Sequence, residues 1–270
     1  MPELPEVETV ANGVNARVRG ERIASVWLGR HKEPFKTPRG EMADALPGMR
    51  IGRVYREGKH IVFDLERSKS EQSQWVVHLG MTGRLLVSAP EVPVPAHTHA
   101  VLGLTGGSEL RFVDARRFGR LALVNGAGFR GPGHEPLTIS PEDFVALFRG
   151  RKTSIKAALL NQKLLHGVGN IYADESLFRA GIRPTAVAGR LSRERLLHLR
   201  TALREILRKA IELGGSSVSD YVDADGVAGF FQLEHKVYMR TGEPCLVCGK
   251  PIRRIVIAGR GTHFCAHCQK

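Results

Sequence analysis

No cysteine occurs in the first 244 residues of this chain, and all four lie in the last 26. A disulfide framework through the body of the protein is thereby excluded. Acids are scarce: 27 Asp and Glu stand against 40 Lys and Arg, giving a net charge of +13 and a pI near 10.1. So basic a chain suits a polyanion, nucleic acid first and an acidic membrane surface second. Apolar runs of membrane-spanning length are missing. The first residues are acidic where a secretory leader would be basic. A soluble, intracellular (cytoplasmic) protein with no membrane partner is therefore expected. Internal repeats and low-complexity tracts are also lacking, and 270 residues suffice for two domains with a real core.

The cysteines form two pairs, Cys245-x-x-Cys248 and Cys265-x-x-Cys268, with sixteen residues between them. That spacing fits a tetrahedral four-thiolate zinc site. Two disulfides are disfavoured in a reducing compartment, and a thioredoxin-like pair needs a strand-to-helix context missing here. One structural Zn2+ is expected, because four thiolates leave no open position for chemistry.

Val7, Val10, Val14 and Val18 share one face of a helix. The opening MPELPEVETV sets two Pro-Glu pairs before that face, and both residue types suit a helical first turn. RIASVWL, RIGRVYREGKHIVFDL, WVVHLGMTGRLLV, HAVLGLTGGSELRFVD and FGRLALV then alternate or are β-branched, with TG and GG turns. Successive strands without intervening helices predict an antiparallel sandwich or barrel. NGAGFRGPGHEP, residues 125–136, reads as a linker or hinge. Beyond it Ser140-Pro141-x-Asp143 is a helix start, and SIKAALLNQ follows. Leu196, Leu199, Leu203, Ile206 or Leu207, and Ala210 mark a long amphipathic helix from about Ser192 to Gly214-Gly215.

In LLHGVGNIYADESLF, Gly167 and Gly169 let the backbone approach a phosphate, and Asn170 is placed to cap the next helix. An ordinary helical hairpin explains the same letters, but nearby Lys152 and Lys156 shift the balance towards DNA. VDARRFGR, residues 113–120, offers Phe118 as a wedge into a base stack and Arg116 as a donor to a base edge. Met81 in HLGMTGR is a candidate second wedge. Lys59 in REGKH and His78 are candidate phosphate contacts. Taken singly, each of these three also suits an ordinary core, strand or surface position.

MPELPEVETV, HLGMTGRL, DARRFGR, GVGNIYADESLFRAGIRP and CxxC…GRGTHFCxxC occur in that order over the whole chain. Together they resemble the formamidopyrimidine-DNA glycosylase family. The resemblance implies an α+β fold: an N-terminal antiparallel β-sandwich with a terminal helix, then a helix-two-turn-helix domain plus a β-hairpin zinc finger. Residues 1–130 would be the catalytic domain, 131–235 the helical domain with a lesion-capping loop at 214–232, and 236–270 the zinc finger. It further implies a monomeric base-excision-repair glycosylase and AP lyase, acting on oxidised purines in damaged double-stranded DNA without a small-molecule cofactor.

By the same resemblance Pro2, after removal of Met1 and with no leader before it, is the nucleophile towards C1′ of the damaged nucleoside. Glu3 is the general acid/base, with Glu6 in support. Lys59 moves the proton in β-elimination, while Arg260 serves δ-elimination and grips the phosphate. His78 and Asn170 complete a phosphate clamp, alongside His97 and Lys152 as DNA contacts. Met81, Arg116 and Phe118 fill the space left by a flipped-out nucleotide. A terminal amine has a physical merit here. It titrates at about 7.7–8.0 against about 10.4 for lysine, so more of it is neutral near pH 7. Proline's secondary amine is intrinsically more basic and needs local tuning, but its iminium stays cationic without a proton.

Two letters depart from the family pattern. Ala115 stands where proline is common, which predicts a softer probe loop. Gly261 replaces Ser or Ala and predicts more freedom around Arg260. One rival is an endonuclease VIII-like glycosylase for oxidised pyrimidines, whose opening is typically PEGPE rather than PELPE. The other is a catalytically silent zinc-containing binder of damaged DNA, against which Pro2, Glu3 and Lys59 together argue.

Overall fold

The valine spacing at the N-terminus is realised as helix α1, Leu4–Val18, with Leu4, Val7, Val10, Ala11, Val14 and Val18 buried. Glu3 is its N-cap, and Glu6 reaches back so that Oε2 accepts the Glu3 N–H at 2.8 Å in a capping box. The terminus is thus tied down where chains commonly fray. The protein is described from a computed structural model covering residues 1–68, 71–217 and 221–270.

Eight strands follow: β1 Ile23–Leu28, β2 Arg50–Glu57, β3 His60–Glu66, β4 Gln72–His78, β5 Arg84–Ser88, β6 Thr98–Leu104, β7 Glu109–Val113 and β8 Arg120–Asn125. They form two four-stranded sheets, β1-β6-β7-β5 and β2-β3-β4-β8, antiparallel throughout. Inward residues of both sheets, Phe63 and Trp75 from one and Leu102 and Phe112 from the other, join the α1 valines in one core. Each such large side chain contributes about 1.5–3 kcal/mol by leaving water. A short helix α2, Arg39–Ala45, separates β1 from β2 and buries only Met42. One apolar anchor leaves no period for a sequence reading to detect.

The remaining helices are α3 Pro141–Phe148, α4 Ile155–Leu160, α5 Asn170–Arg179 and α6 Arg193–Glu212. Ser140 and Ser192 cap α3 and α6 by accepting from the Asp143 and Arg195 amides. The stripe on α6 is the expected one, and both Ile206 and Leu207 are buried. Strands β9, Arg253–Ile257, and β10, Arg260–Phe264, close an antiparallel hairpin near the C-terminus.

Contacts divide the chain into two units, Met1–Gly131 with Gly214–Phe230, and Pro132–Leu213 with Phe231–Lys270. The first crossing falls inside the Gly/Pro-rich stretch read as a hinge. The loop expected to belong with the helices packs on the first unit instead. There Ser216 N–H donates to Glu6 Oε1 at 2.8 Å and Val87 N–H to Ala224 O at 3.2 Å. Ala224 is buried in the main core, and Arg17 pairs with Asp225. Residues 218–220 of the expected capping loop lie outside the described residues. The finger, expected as a separate segment, clusters with the helices. Among the described residues no helix is long and apolar enough to cross a membrane.

Candidate active site and nucleic-acid interface

In the first unit Pro2 is buried while Met1 is half exposed. Its nitrogen is a tertiary amide as long as Met1 remains. Glu3 and Glu6 are 5% and 2% exposed, so the first turn carries two carboxylates shielded from solvent. The turn is also tied sideways. Besides the Ser216 bond, the Tyr221 hydroxyl donates to Glu6 O at 3.3 Å. Gly215, at φ +83°, lies so close that a Cβ would fall 2.9 Å from Glu6 Oε1. Side chains are therefore excluded at that position.

Lys59 sits in the two-residue turn joining β2 to β3, after Gly58 at φ 61°. His78 ends β4 directly across from His60, with ring centroids 5.0 Å apart. The Gly80 N–H donates to His78 Nδ1 at 3.1 Å, which leaves the proton on Nε2. Burial, reinforced by His60, Lys59 and Arg120, pushes the His78 pKa down to about 4. At neutral pH this imidazole is an uncharged donor.

The DARRFGR loop is organised by Asp114, a residue the sequence reading missed. Fully buried, its carboxylate accepts from Thr82 Oγ1 at 2.5 Å, Arg116 N at 3.2 Å and Gly119 N at 2.7 Å. That staple fixes the loop without a proline at Ala115, so the expected softness is countered. Phe118 is 48% and Met81 40% exposed. Their two loops touch so closely at Gly80 that a Cβ there would lie 2.5 Å from Gly119 N. The Arg116 guanidinium rests 5.0 Å from the Phe118 ring centroid. His97 is exposed on the adjacent loop at φ 65°, and its carbonyl accepts the Asp114 N–H at 3.0 Å.

In the second unit Lys152 is exposed, as a phosphate contact requires, but Lys156 is not. Lys156 is fully buried against Asp174, with Nζ–Oδ1 2.6 Å, and donates to Thr262 Oγ1 at 2.8 Å and Gly261 O at 3.2 Å. It supports the finger hairpin and cannot reach DNA from there. Asn170 also departs from expectation. Gly169 is the N-cap of α5, and Asn170, its first residue, donates Nδ2–H to Gly261 O at 2.9 Å. The Gly261 carbonyl thus takes two hydrogen bonds, so the predicted looseness around Arg260 is not found. What the missing Cβ permits is the Arg254 guanidinium, which lies 3.0 Å from where it would be. Arg260 itself is exposed at the hairpin tip.

Next to Asp174, the buried Glu175 accepts from the amides of Lys236, Val237 and Tyr238 at 2.8–3.0 Å. Burial raises its pKa, and those three amides oppose the rise. The adjacent acids of ADES therefore hold two different segments. The signal was present in the sequence: paired acids inside a helix of a strongly basic chain.

The four cysteine Sγ atoms lie within 4.8 Å of one another, with Cys248–Cys265 at 3.5 Å and Cys245–Cys268 at 3.9 Å. A disulfide needs about 2.05 Å. A tetrahedron of Zn–S bonds of about 2.3 Å has edges of about 3.8 Å. The thiols fit one structural zinc ion.

Fold and site together define a strongly basic, zinc-binding protein of the nucleic-acid-binding class, with a helix-mounted N-terminus. Family models agree: a formamidopyrimidine-DNA glycosylase N-terminal domain matches residues 1–121, its H2TH domain residues 132–222, and a zinc finger found in FPG and IleRS residues 242–270. The chain belongs to the formamidopyrimidine-DNA glycosylase family. It is 48% identical to the formamidopyrimidine-DNA glycosylase of Solibacter usitatus over 272 residues, the whole of both chains. Among solved structures it is similar to a mutant Lactococcus lactis FPG in complex with a Fapy-dG containing DNA, at TM-score 0.90, 33% identity and full coverage of both chains. The MutM (FPG) protein of Thermus thermophilus matches at TM-score 0.85 and 42% identity, over 99% of this chain and 98% of that one.

Proposed function

We propose that this protein is a DNA glycosylase and AP lyase that removes oxidised purines from duplex DNA, working in the cytoplasm on the chromosome. One observation carries the reading: Pro2 and Glu3 sit at a buried, hydrogen-bonded helix start, where a structural role alone would tolerate an exposed, frayed end. The Lactococcus lactis relative was solved with a Fapy-dG containing DNA, which supports the purine class.

The chemistry begins once Met1 is removed. The Pro2 lone pair bonds to C1′ as the bond from C1′ to the base breaks, and the base leaves with a proton. Glu3 protonates the sugar oxygen, the ring opens, and a cationic iminium forms. That cation accepts the electron pair left when a proton is taken from C2′, and the C3′–O bond breaks. Lys59 transfers this proton. A second elimination takes the proton from C4′, and the electron pair it leaves expels the phosphate as the C5′–O bond breaks, with Arg260 holding that departing phosphate. In the first unit His78 donates an uncharged N–H to the DNA backbone, with His97 as a further contact; in the second unit Lys152 and Asn170 are further phosphate contacts. Because a stacked base cannot reach the site, the nucleotide is flipped, and Met81, Phe118 and Arg116 occupy the gap.

Borohydride trapping on an 8-oxoguanine duplex tests this. A covalent adduct on the Pro2 nitrogen is expected, and it should be absent from protein that keeps Met1, whose Pro2 nitrogen is an amide. Tight binding with no adduct in the wild type refutes the lyase and leaves a silent damage binder. A preferential adduct on a dihydrothymine duplex moves the assignment to oxidised pyrimidines.

A further inference from the structure

We propose that Asp174 is a positioning residue for strand cleavage: through Lys156 and His263 it sets the finger backbone that carries Arg260. The inference rests on the reading of Arg260 as the δ-elimination group. Ala258 and Gly259, at φ 50° and 71°, form a two-residue turn, so Arg260 is the first residue of the returning strand β10. Its own side chain is exposed, and its placement therefore depends on the three residues after it.

Each of those residues is held from the helices. Gly261 O accepts from Lys156 Nζ and Asn170 Nδ2, and Thr262 Oγ1 accepts from Lys156 Nζ at 2.8 Å. The His263 N–H donates to Asp174 Oδ2 at 2.8 Å, and its Nδ1 lies 3.2 Å from the same oxygen. Asp174 is the hub, because it holds His263 directly and also holds the ammonium that grips Gly261 and Thr262. Both members of the ion pair are 0% exposed. Neither an isolated buried ammonium nor an isolated buried carboxylate is stable there, so the pair stands or falls together. Asn170 joins the same carbonyl from the start of α5, which fixes Arg260 relative to a residue assigned to the phosphate clamp. An incidental core ion pair would not converge on the three residues following the reactive one.

The test uses full-length, zinc-loaded protein in single turnover on an abasic-site duplex and reads the ratio of δ- to β-elimination products. In Asp174→Asn the ratio is expected to fall by about 10–100-fold, the scale of an ångström-size misplacement, with borohydride trapping at Pro2 unchanged. The double variant Asp174→Asn/Lys156→Met also removes the buried ammonium that the first change strands. It should regain thermal stability while its ratio stays low, because nothing then grips Gly261 and Thr262 from position 156. It also decides the matter should Asp174→Asn fail to fold. A wild-type ratio in folded Asp174→Asn, or a ratio that recovers with stability in the double variant, overturns the proposal. A wild-type ratio in Arg260→Ala overturns the reading of Arg260 and this proposal with it. A low ratio there beside a normal one in Asp174→Asn overturns the Asp174 assignment alone.

Discussion

Replacing Glu6 by glutamine exchanges one oxygen for an amide nitrogen and should loosen the N-terminal end of α1. The carboxylate serves two backbone donors with two oxygens: Oε2 accepts from Glu3 N and Oε1 from Ser216 N, both at 2.8 Å. Glu6 and Ser216 are 2% and 5% exposed, so water does not readily replace a lost partner. Glutamine offers one acceptor oxygen, and its amide nitrogen must face the other N–H. A hydrogen bond to a charged group contributes about 1.5–3 kcal/mol. Taking about 2 kcal/mol, and a tenfold change per 1.4 kcal/mol, local opening becomes about 30-fold more frequent. Amide hydrogen exchange reads this directly. Either Ser216 or Glu3 should lose protection by about that factor in Glu6→Gln, while Phe63 in β3 keeps its own. Trapping at Pro2 should weaken in parallel. Wild-type protection at both amides would refute the claim that one carboxylate couples the helix start to the 214–217 segment.

Acidification should destabilise both units over one window. Burial, with His60 and charged neighbours, depresses His78 to about 4, and burial with His263 does the same to His235. Both fall below an unfolded value near 6.5, so the unfolded chain binds protons first. Their contribution is complete above about pH 6.5 and is lost as pH falls towards 4. Thermal melts from pH 7.5 to 4.5 should show a steady decline, shallower in His78→Asn, and a flat profile would contradict it. Zinc removal by a strong chelator should lower DNA affinity and cleavage together, because four thiolates hold the finger through the ion and leave it no open position for chemistry. The check is fluorescence anisotropy beside a cleavage assay, and loss of cleavage with affinity intact would give the finger a direct chemical role.

Elements whose pattern repeats within a short interval were legible. The valines of α1 and the leucines of α6 lie where their spacing put them, since each interval is read along a single element, and the two short cysteine spacings meet as one cluster of thiols. Polar residues were harder. Lys152 and Lys156 look alike in sequence, four residues apart in a basic segment, yet one is solvated and the other fully buried. Asn170 carries a capping residue's letter but follows the cap, because Gly169 already supplies that position and the side chain is drawn to Gly261. Asp114 reads as an ordinary loop acid until the Thr82 hydroxyl and two amides converge on it.

By itself, then, the sequence determined the secondary-structure periods, the four-thiolate site, the polyanion partner implied by a charge of +13, and the ordered motifs of the family. Tertiary structure decided which charges are buried and what they hold. Asp174 meets His263 across 89 residues and Lys156 meets Thr262 across 106, while Glu6 meets Ser216 across 210. Spacing along the chain governs what one element can do. A buried charge is tolerated only where partners from distant segments arrive together, and no local pattern encodes that meeting.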